Sequence, residues 1–202
     1  MEITKAWLKE KGACTSGTEW FCNTFKNGTT EKELIKKLIK AEKTDWAWWY
    51  LRKVLKKEQS VKIAIYAAEQ VINIFEKKYP KDDRPRKAIE AAKAYLKNPC
   101  DNAADSARAA AYAAYAADVA ADVAYAAANA AADAAYAAYA ADAADAADAA
   151  GAAAGAAAGA AAYAAADVAY AAGAAAYAAA DVAKKELMEN ILLYALKIRG
   201  EK

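Results

Sequence analysis

The chain contains no histidine, the side chain that most often serves as a catalytic base or a metal ligand. This absence excludes Ser–His and Cys–His catalytic pairs and makes a zinc site unexpected. The chain has an odd number of cysteines, and none of them shows C-x-x-C spacing: Cys14, Cys22 and Cys100. Neither the P-loop motif nor the glycine-rich dinucleotide motif is present. The sequence therefore predicts a protein without catalytic residues, a metal ion or a cofactor.

Proline is also scarce, and its three positions, Pro80, Pro85 and Pro99, all lie in the first half. Nothing therefore interrupts long helices after residue 100. No run of alternating β-branched residues predicts a strand, and alanine, the strongest helix former, supplies most of the apolar fraction. We expect an all-α protein with one compact multi-helix domain over residues 1–202. Short N-terminal amphipathic helices would pack on long Ala-rich C-terminal helices.

Secretion is not indicated, because Met1–Lys11 is charged and lacks an apolar core segment. The Ala-rich stretch is long enough to span a bilayer, but its aspartates recur every few residues. Each of them would be costly at the centre of a membrane. We expect a reduced, cytoplasmic protein that does not cross a membrane.

The basic segment, residues 1–99, shows start and stop signals of several helices. Thr30 and Glu33 form a capping-box pattern ahead of an apolar stripe. Residues 44–45 are candidates to cap the next, Trp-containing helix. Ser60 is expected to start a further helix that ends before Pro80.

Residues 100–183 are mostly alanine, with tyrosine and aspartate at intervals. A single helix over this stretch would exceed about 100 Å, so we expect the chain to fold back at least once. Gly151, Gly155 and Gly159 mark either a turn or a stripe for close backbone approach, and the alanine surroundings favour a break there. Residues 184–202 form an amphipathic closing helix expected to pack on the first half.

The net charge of +2 hides a segregation of charge along the chain. Residues 1–99 carry a net charge of +9, and residues 101–183 carry −9. Either the two halves pack together and partly neutralise each other, or one of them attracts a charged partner. That partner would be an anion for the basic half or a basic protein for the acidic half.

Aromatic and arginine side chains in the basic half suit a planar or anionic ligand. Trp46 and Trp49 lie near Arg52, an arrangement typical of nucleobase or peptide binding or, alternatively, of a helix core. Arg84 and Arg86 flank a proline at a helix N-terminus, where they could hold a phosphate or pair with acids of the second half.

Tyrosines projecting from alanine helices leave grooves between their rings. Tyr112, Tyr115 and Tyr136, supplied with arginines of the first half, would line a pocket of nucleotide size. The same rings could instead fill gaps that alanine leaves open.

Three aspartates follow one another at a spacing of three residues, which puts them on one face of a helix: Asp142, Asp145 and Asp148. Such a face can hold a hard cation, contact a basic partner or simply keep an alanine helix soluble. Asp118 and Asp122, one turn apart, are expected to form structural ion pairs with bases of the first half.

Four segments carry a family resemblance: Trp46–Leu51, Ala67–Val71, Phe75–Pro80 and Asp83–Ala92. Together with the Ala-rich repeat, they resemble the helical immunity proteins of bacterial polymorphic toxin systems, which phages also carry. The resemblance covers residues 13–200. It implies a non-enzymatic protein that protects a cell or phage by binding.

Two functions follow as expectations. The first is an immunity or inhibitor protein that neutralises a toxin or defence effector, with Asp142, Asp145 and Asp148 covering a basic surface. The alternative is a phage-type sponge that sequesters an anionic nucleotide signal between the arginines, tryptophans and tyrosines named above. Direct nucleic-acid binding is not expected, and the alanine faces would allow a homodimer.

Overall fold

The computed structural model describes residues 2–115, 123–140, 143–171 and 176–200. Within these residues the protein is almost entirely α-helical, with one short antiparallel strand pair near the N-terminus. The all-α prediction is confirmed. The elements are, in chain order, β1 (Glu2–Ile3), α1 (Lys5–Glu10), α2 (Thr15–Thr24), β2 (Thr29–Thr30), α3 (Glu31–Lys40), α4 (Thr44–Val54), α5 (Lys57–Glu69), α6 (Ile72–Lys78), α7 (Arg84–Lys97), α8 (Asp101–Tyr115), α9 (Val123–Tyr139), α10 (Ala143–Ala171) and α11 (Ala176–Gly200).

The predicted capping box at the start of α3 is present. The Glu33 backbone N–H donates to Thr30 Oγ1 at 3.3 Å, and the Thr30 N–H donates to Glu33 Oε2 at 3.4 Å. Thr30 also pairs with Glu2 in the β1–β2 ladder, so the start of α3 adjoins the strand pair. The local sequence therefore determines this helix start.

Two other predicted helix starts are wrong. Lys43 occupies the N-cap position of α4 without a side-chain cap, so neither residue at 44–45 caps the helix. Helix α5 begins at Lys57, and Ser60 lies buried inside it, where its hydroxyl donates to the Lys56 carbonyl at 3.2 Å. Serine makes such bonds inside helices as well as at their ends, so its presence alone does not mark a start.

The helix predicted between Ser60 and Pro80 is divided into α5 and α6. At the junction the Gln70 N–H is shared between the carbonyls of Tyr66 and Ala67, both at 3.3 Å. This tightening ends α5 at Glu69 and allows α6 to start in a new direction.

The Ala-rich segment folds back as predicted, and consecutive helices from α8 to α11 pack against one another. The expected break at the three glycines is wrong, because α10 runs continuously through Gly151, Gly155 and Gly159. Each glycine costs a helix only about 1 kcal/mol, which the flanking alanines and the buried face of α10 offset. The closing helix α11 begins at Ala176, ahead of the predicted boundary at residue 184.

Helix α10 packs on α9, α11, α5 and α4 through a face of buried alanines. Small side chains let neighbouring helices approach closely, and Gly151 faces the Trp48 ring, which a Cβ would meet at 3.6 Å. One cluster of buried apolar side chains extends from Ile3 to Ile198. Although rich in alanine, none of the described helices combines the length and hydropathy needed to cross a membrane.

Candidate binding site

Helices α1 to α4 enclose a cleft of about 190 Å³, which we call the aromatic cleft. Its walls are mainly apolar or aromatic, and the residues that line it are Leu8, Gly12, Ala13, Cys14, Gly17, Trp20, Phe21, Leu34, Leu38, Trp46, Trp49 and Tyr50. Concave apolar sites with a few polar groups are the usual form of a binding pocket.

Edge-to-face ring contacts hold the walls of the cleft in place. The rings of Trp46 and Trp20 lie 5.8 Å apart at 70°, and those of Trp49 and Trp7 lie 6.4 Å apart at 82°. This geometry is the favoured one for aromatic pairs. Ring contacts of α4 with α1 and α2 therefore help to build the cleft.

Two lysine side chains lie over the rings of the cleft tryptophans. Lys43 Nζ lies 4.2 Å from the centroid of the Trp46 ring, and Lys53 Nζ lies 5.8 Å from that of Trp49. Residues 1–58 contain thirteen Lys and Arg against eight Asp and Glu. An apolar interior with a basic surround favours an apolar group carried on an acidic partner.

Cys14 provides a polar group at the exposed side of the cleft. Its Sγ accepts from the Gly17 N–H at 3.3 Å at the start of α2 and lies 3.4 Å from Ser16 Oγ. The Ser16 hydroxyl, followed by the Gly17 N–H, lowers the pKa of the thiol below its usual value. Cys14 is thus a suitable attachment point for chemical probes of the cleft.

Tyr50 forms the buried base of the cleft, with only 1% of its surface exposed. Burial, followed by the nearby Glu31 charge, raises the pKa of its phenol. Arg199 Nε on α11 lies 3.5 Å from Glu31 Oε1. An ion pair between Glu31 and Arg199 therefore joins α3 to the closing helix α11.

The structure places Trp46 and Trp49 in the cleft, whereas Arg52 is not among the residues that line it. Arg52 Nη2 forms an ion pair with Asp148 Oδ2 at 3.0 Å, linking α4 to α10. Two residues predicted to serve different ligands thus bind each other. This pair is a contact of the kind expected if the basic and acidic halves neutralise each other.

Arg84 and Arg86 are held by acids of their own half. The Arg84 guanidinium donates to both carboxylate oxygens of Asp82, at 2.9 and 2.6 Å. Arg86 donates in the same two-pronged way to Glu76, at 2.6 and 2.7 Å. Arg86 therefore pairs within the first half, where the sequence had offered acids of the second half as its alternative partners. The short connection between α6 and α7 brings these partners together.

The tyrosine-lined pocket stays a prediction, because two of its three tyrosines have side chains outside the described parts. Tyr136 is 39% exposed and packs against Tyr139, with ring centroids 5.9 Å apart. Asp145 is exposed on α10, on the same side as Asp148. Several predictions concern residues or side chains outside the described parts: Tyr112, Tyr115, Asp118, Asp122 and Asp142.

The sequence-based prediction missed most of the cleft. Leu34 and Leu38 belong to the apolar stripe that follows the predicted capping box, which was expected only to face a core, and Trp20 and Phe21 were not singled out. An amphipathic stripe indicates which face is buried, but it does not show where facing helices leave a gap. Among the described residues, no three acidic or cysteine side chains come together as a metal site.

Residues 1–58 match a family model described as the YdhT N-terminal domain. Every residue that lines the aromatic cleft lies within this segment. Comparison with curated proteins and with solved structures gave no match. The segment similar to a known domain is therefore also the segment that contains the cleft.

Proposed function

We propose that this protein is a non-catalytic inhibitor or immunity protein that neutralises a toxin or defence effector by binding it in the cytoplasm. The observation that carries the proposal is the aromatic cleft, which would receive a large apolar side chain of the partner. Buried aromatic pockets of this kind supply most of the binding free energy in protein interfaces.

The charge around the cleft defines the partner further. Because Lys43 and Lys53 lie over the cleft tryptophans, the apolar anchor is expected to come from an acidic segment. This moves the binding surface away from the acidic helix face, where Asp148 is already paired with Arg52.

The chemistry of the lining supports binding rather than catalysis. Among its described residues, the titratable groups are the Cys14 thiol and the Tyr50 phenol. The raised pKa of Tyr50 keeps that phenol protonated, so it cannot act as a base near neutral pH. The resemblance of the Asp83–Ala92 region to immunity proteins supports neutralisation as the purpose of binding.

A photo-crosslinking experiment in the producing cells tests the proposal. In a Cys22→Ser, Cys100→Ser variant, Cys14 would carry a benzophenone maleimide at the exposed side of the cleft. The matched control is a Cys14→Ser, Cys22→Ser variant labelled at the exposed Cys100, outside the cleft. We expect one effector protein to be crosslinked from Cys14 and not from Cys100.

Calorimetry with that purified effector then measures the role of the cleft. Trp46→Ala is expected to weaken binding by at least about 30-fold, the loss typical of an interface residue worth about 2 kcal/mol. Alkylating Cys14 with benzyl maleimide in the folded protein should block binding, whereas alkylating Cys100 should not. Equal crosslinking from both positions, or full effector activity in the saturated complex, would overturn the proposal.

A further inference from the structure

A second cavity, of about 310 Å³, lies between α5, α7 and α11 and shares no lining residue with the aromatic cleft. We call it the lysine groove. Its polar and aromatic lining residues come from three helices that are distant in sequence: Lys62, Tyr66, Glu69, Lys93, Tyr194 and Lys197.

Positive charge is concentrated in this groove without full compensation. Three ammonium groups face one carboxylate, and Glu69 is already paired with Lys93. Lys62 and Lys197 have no ion-pair partner among the described residues. Gathering like charges is unfavourable unless an anion neutralises them, so the groove is suited to bind one.

An aromatic surface lies beside these charges. The rings of Tyr66 and Tyr194 stack with their centroids 4.1 Å apart and an angle of 12° between their planes. Both tyrosines line the groove and are partly exposed, so the stack forms an aromatic part of its wall. A planar heterocycle gains binding energy by stacking on such a ring.

From the juxtaposition of the lysines and the tyrosine stack, we propose that the lysine groove binds a nucleotide with two or more phosphate groups. The phosphates would contact Lys62, Lys93 and Lys197, since the lysine ammonium is a compact charge that suits phosphate. The base would stack on the ring of Tyr66. A nucleotide site is thus assigned to residues different from the arginines and tryptophans that the sequence suggested.

Isothermal titration calorimetry at low ionic strength tests this site with ADP, pyrophosphate and adenosine as separate probes. We expect ADP to bind at one site per chain, with pyrophosphate weaker and adenosine weakest. Raising the salt concentration should weaken ADP binding, because it screens the contacts between lysine and phosphate.

Matched double variants identify the residues responsible. Lys62→Ala, Lys197→Ala is expected to weaken ADP binding by at least about tenfold, because two charge contacts are lost. The control Lys36→Ala, Lys77→Ala removes the same charge from exposed positions of α3 and α6 and should change affinity by less than about twofold. Circular dichroism verifies that both variants retain their helix content.

Tyr66→Leu tests the stacking contact separately and should weaken ADP but not pyrophosphate. Absence of ADP binding at millimolar concentration, or an equal effect of the two double variants, would overturn the site. Pyrophosphate binding as tight as ADP binding would overturn the assignment of a nucleotide. Because the aromatic cleft is not involved, these outcomes are independent of the inhibitor proposal.

Discussion

Replacing Gly155 and Gly159 with alanine is expected to stabilise the protein. Both glycines lie in the interior of α10, and a Cβ built on either would meet no atom within 4 Å. Glycine destabilises a helix interior by about 0.5–1 kcal/mol relative to alanine, so the double variant should gain about 1–2 kcal/mol. For a protein of this size, that gain corresponds to a rise in Tm of roughly 2–8 °C.

The same substitution at Gly12 provides the control. This glycine also has open space around its Cβ position, but its φ of +75° lies in the left-handed region. Alanine there should destabilise the protein by about 1 kcal/mol, because an L side chain disfavours that backbone conformation. If Gly→Ala raises stability in α10 and lowers it at Gly12, then backbone conformation, rather than free space, decides the effect of the substitution.

Thermal and urea unfolding followed by circular dichroism at the helix band would measure both variants. If α10 is a continuous helix, Gly155→Ala, Gly159→Ala raises the Tm and the urea midpoint. If these glycines instead form a turn that needs a left-handed backbone, the double variant is destabilised like Gly12→Ala. A fall in Tm would therefore refute the continuous helix.

Two further predictions concern polar contacts in the N-terminal half. Thr30→Ala removes the cap of α3 and should lower the free energy of unfolding in urea by about 1 kcal/mol. Thr30→Ser keeps a capping hydroxyl and should retain most of that stability. Equal free energies of unfolding for the two variants would contradict the capping contact. Glu76→Gln should cost about 1 kcal/mol or less at pH 7, since the Arg86 pair is partly exposed. Arg86 lowers the pKa of Glu76 from 4.5, so this stabilisation is present above pH 4.5 and is lost as the pH falls through the folded-state pKa. Unfolding free energies of wild type and Glu76→Gln should thus converge in acid, and a constant difference down to pH 2 would exclude the ionised pair as its cause.

The fold class and several local features could be predicted because they depend on neighbouring residues. The capping box at Thr30 and Glu33 uses groups three residues apart, and the sequence contains both. The return of the closing helix onto the first half followed from its apolar stripe, and α11 indeed packs on α3 and α5. These features need only short-range hydrogen bonding and helical periodicity.

The binding sites could be predicted only in part. Trp46 and Trp49 were identified from residue type, but the sequence did not show that Leu8, Trp20 and Phe21 complete the same cleft. The lysine groove was not foreseen, because Lys62, Lys93 and Lys197 are far apart along the chain. The pairing of Arg86 with Glu76 was not foreseen either, because the two residues meet only across the α6–α7 connection.

By itself, the sequence determined that this protein is helical, because alanine, the scarcity of proline and the apolar periodicity act within one or two turns. Only the tertiary structure decided that α10 continues through its glycines, that Arg52 meets Asp148, and that the aromatic cleft and the lysine groove form. The physical reason is that the register between packed helices determines which side chains meet and where a gap remains. Many different registers satisfy the same apolar pattern, and packing across the whole molecule selects one of them.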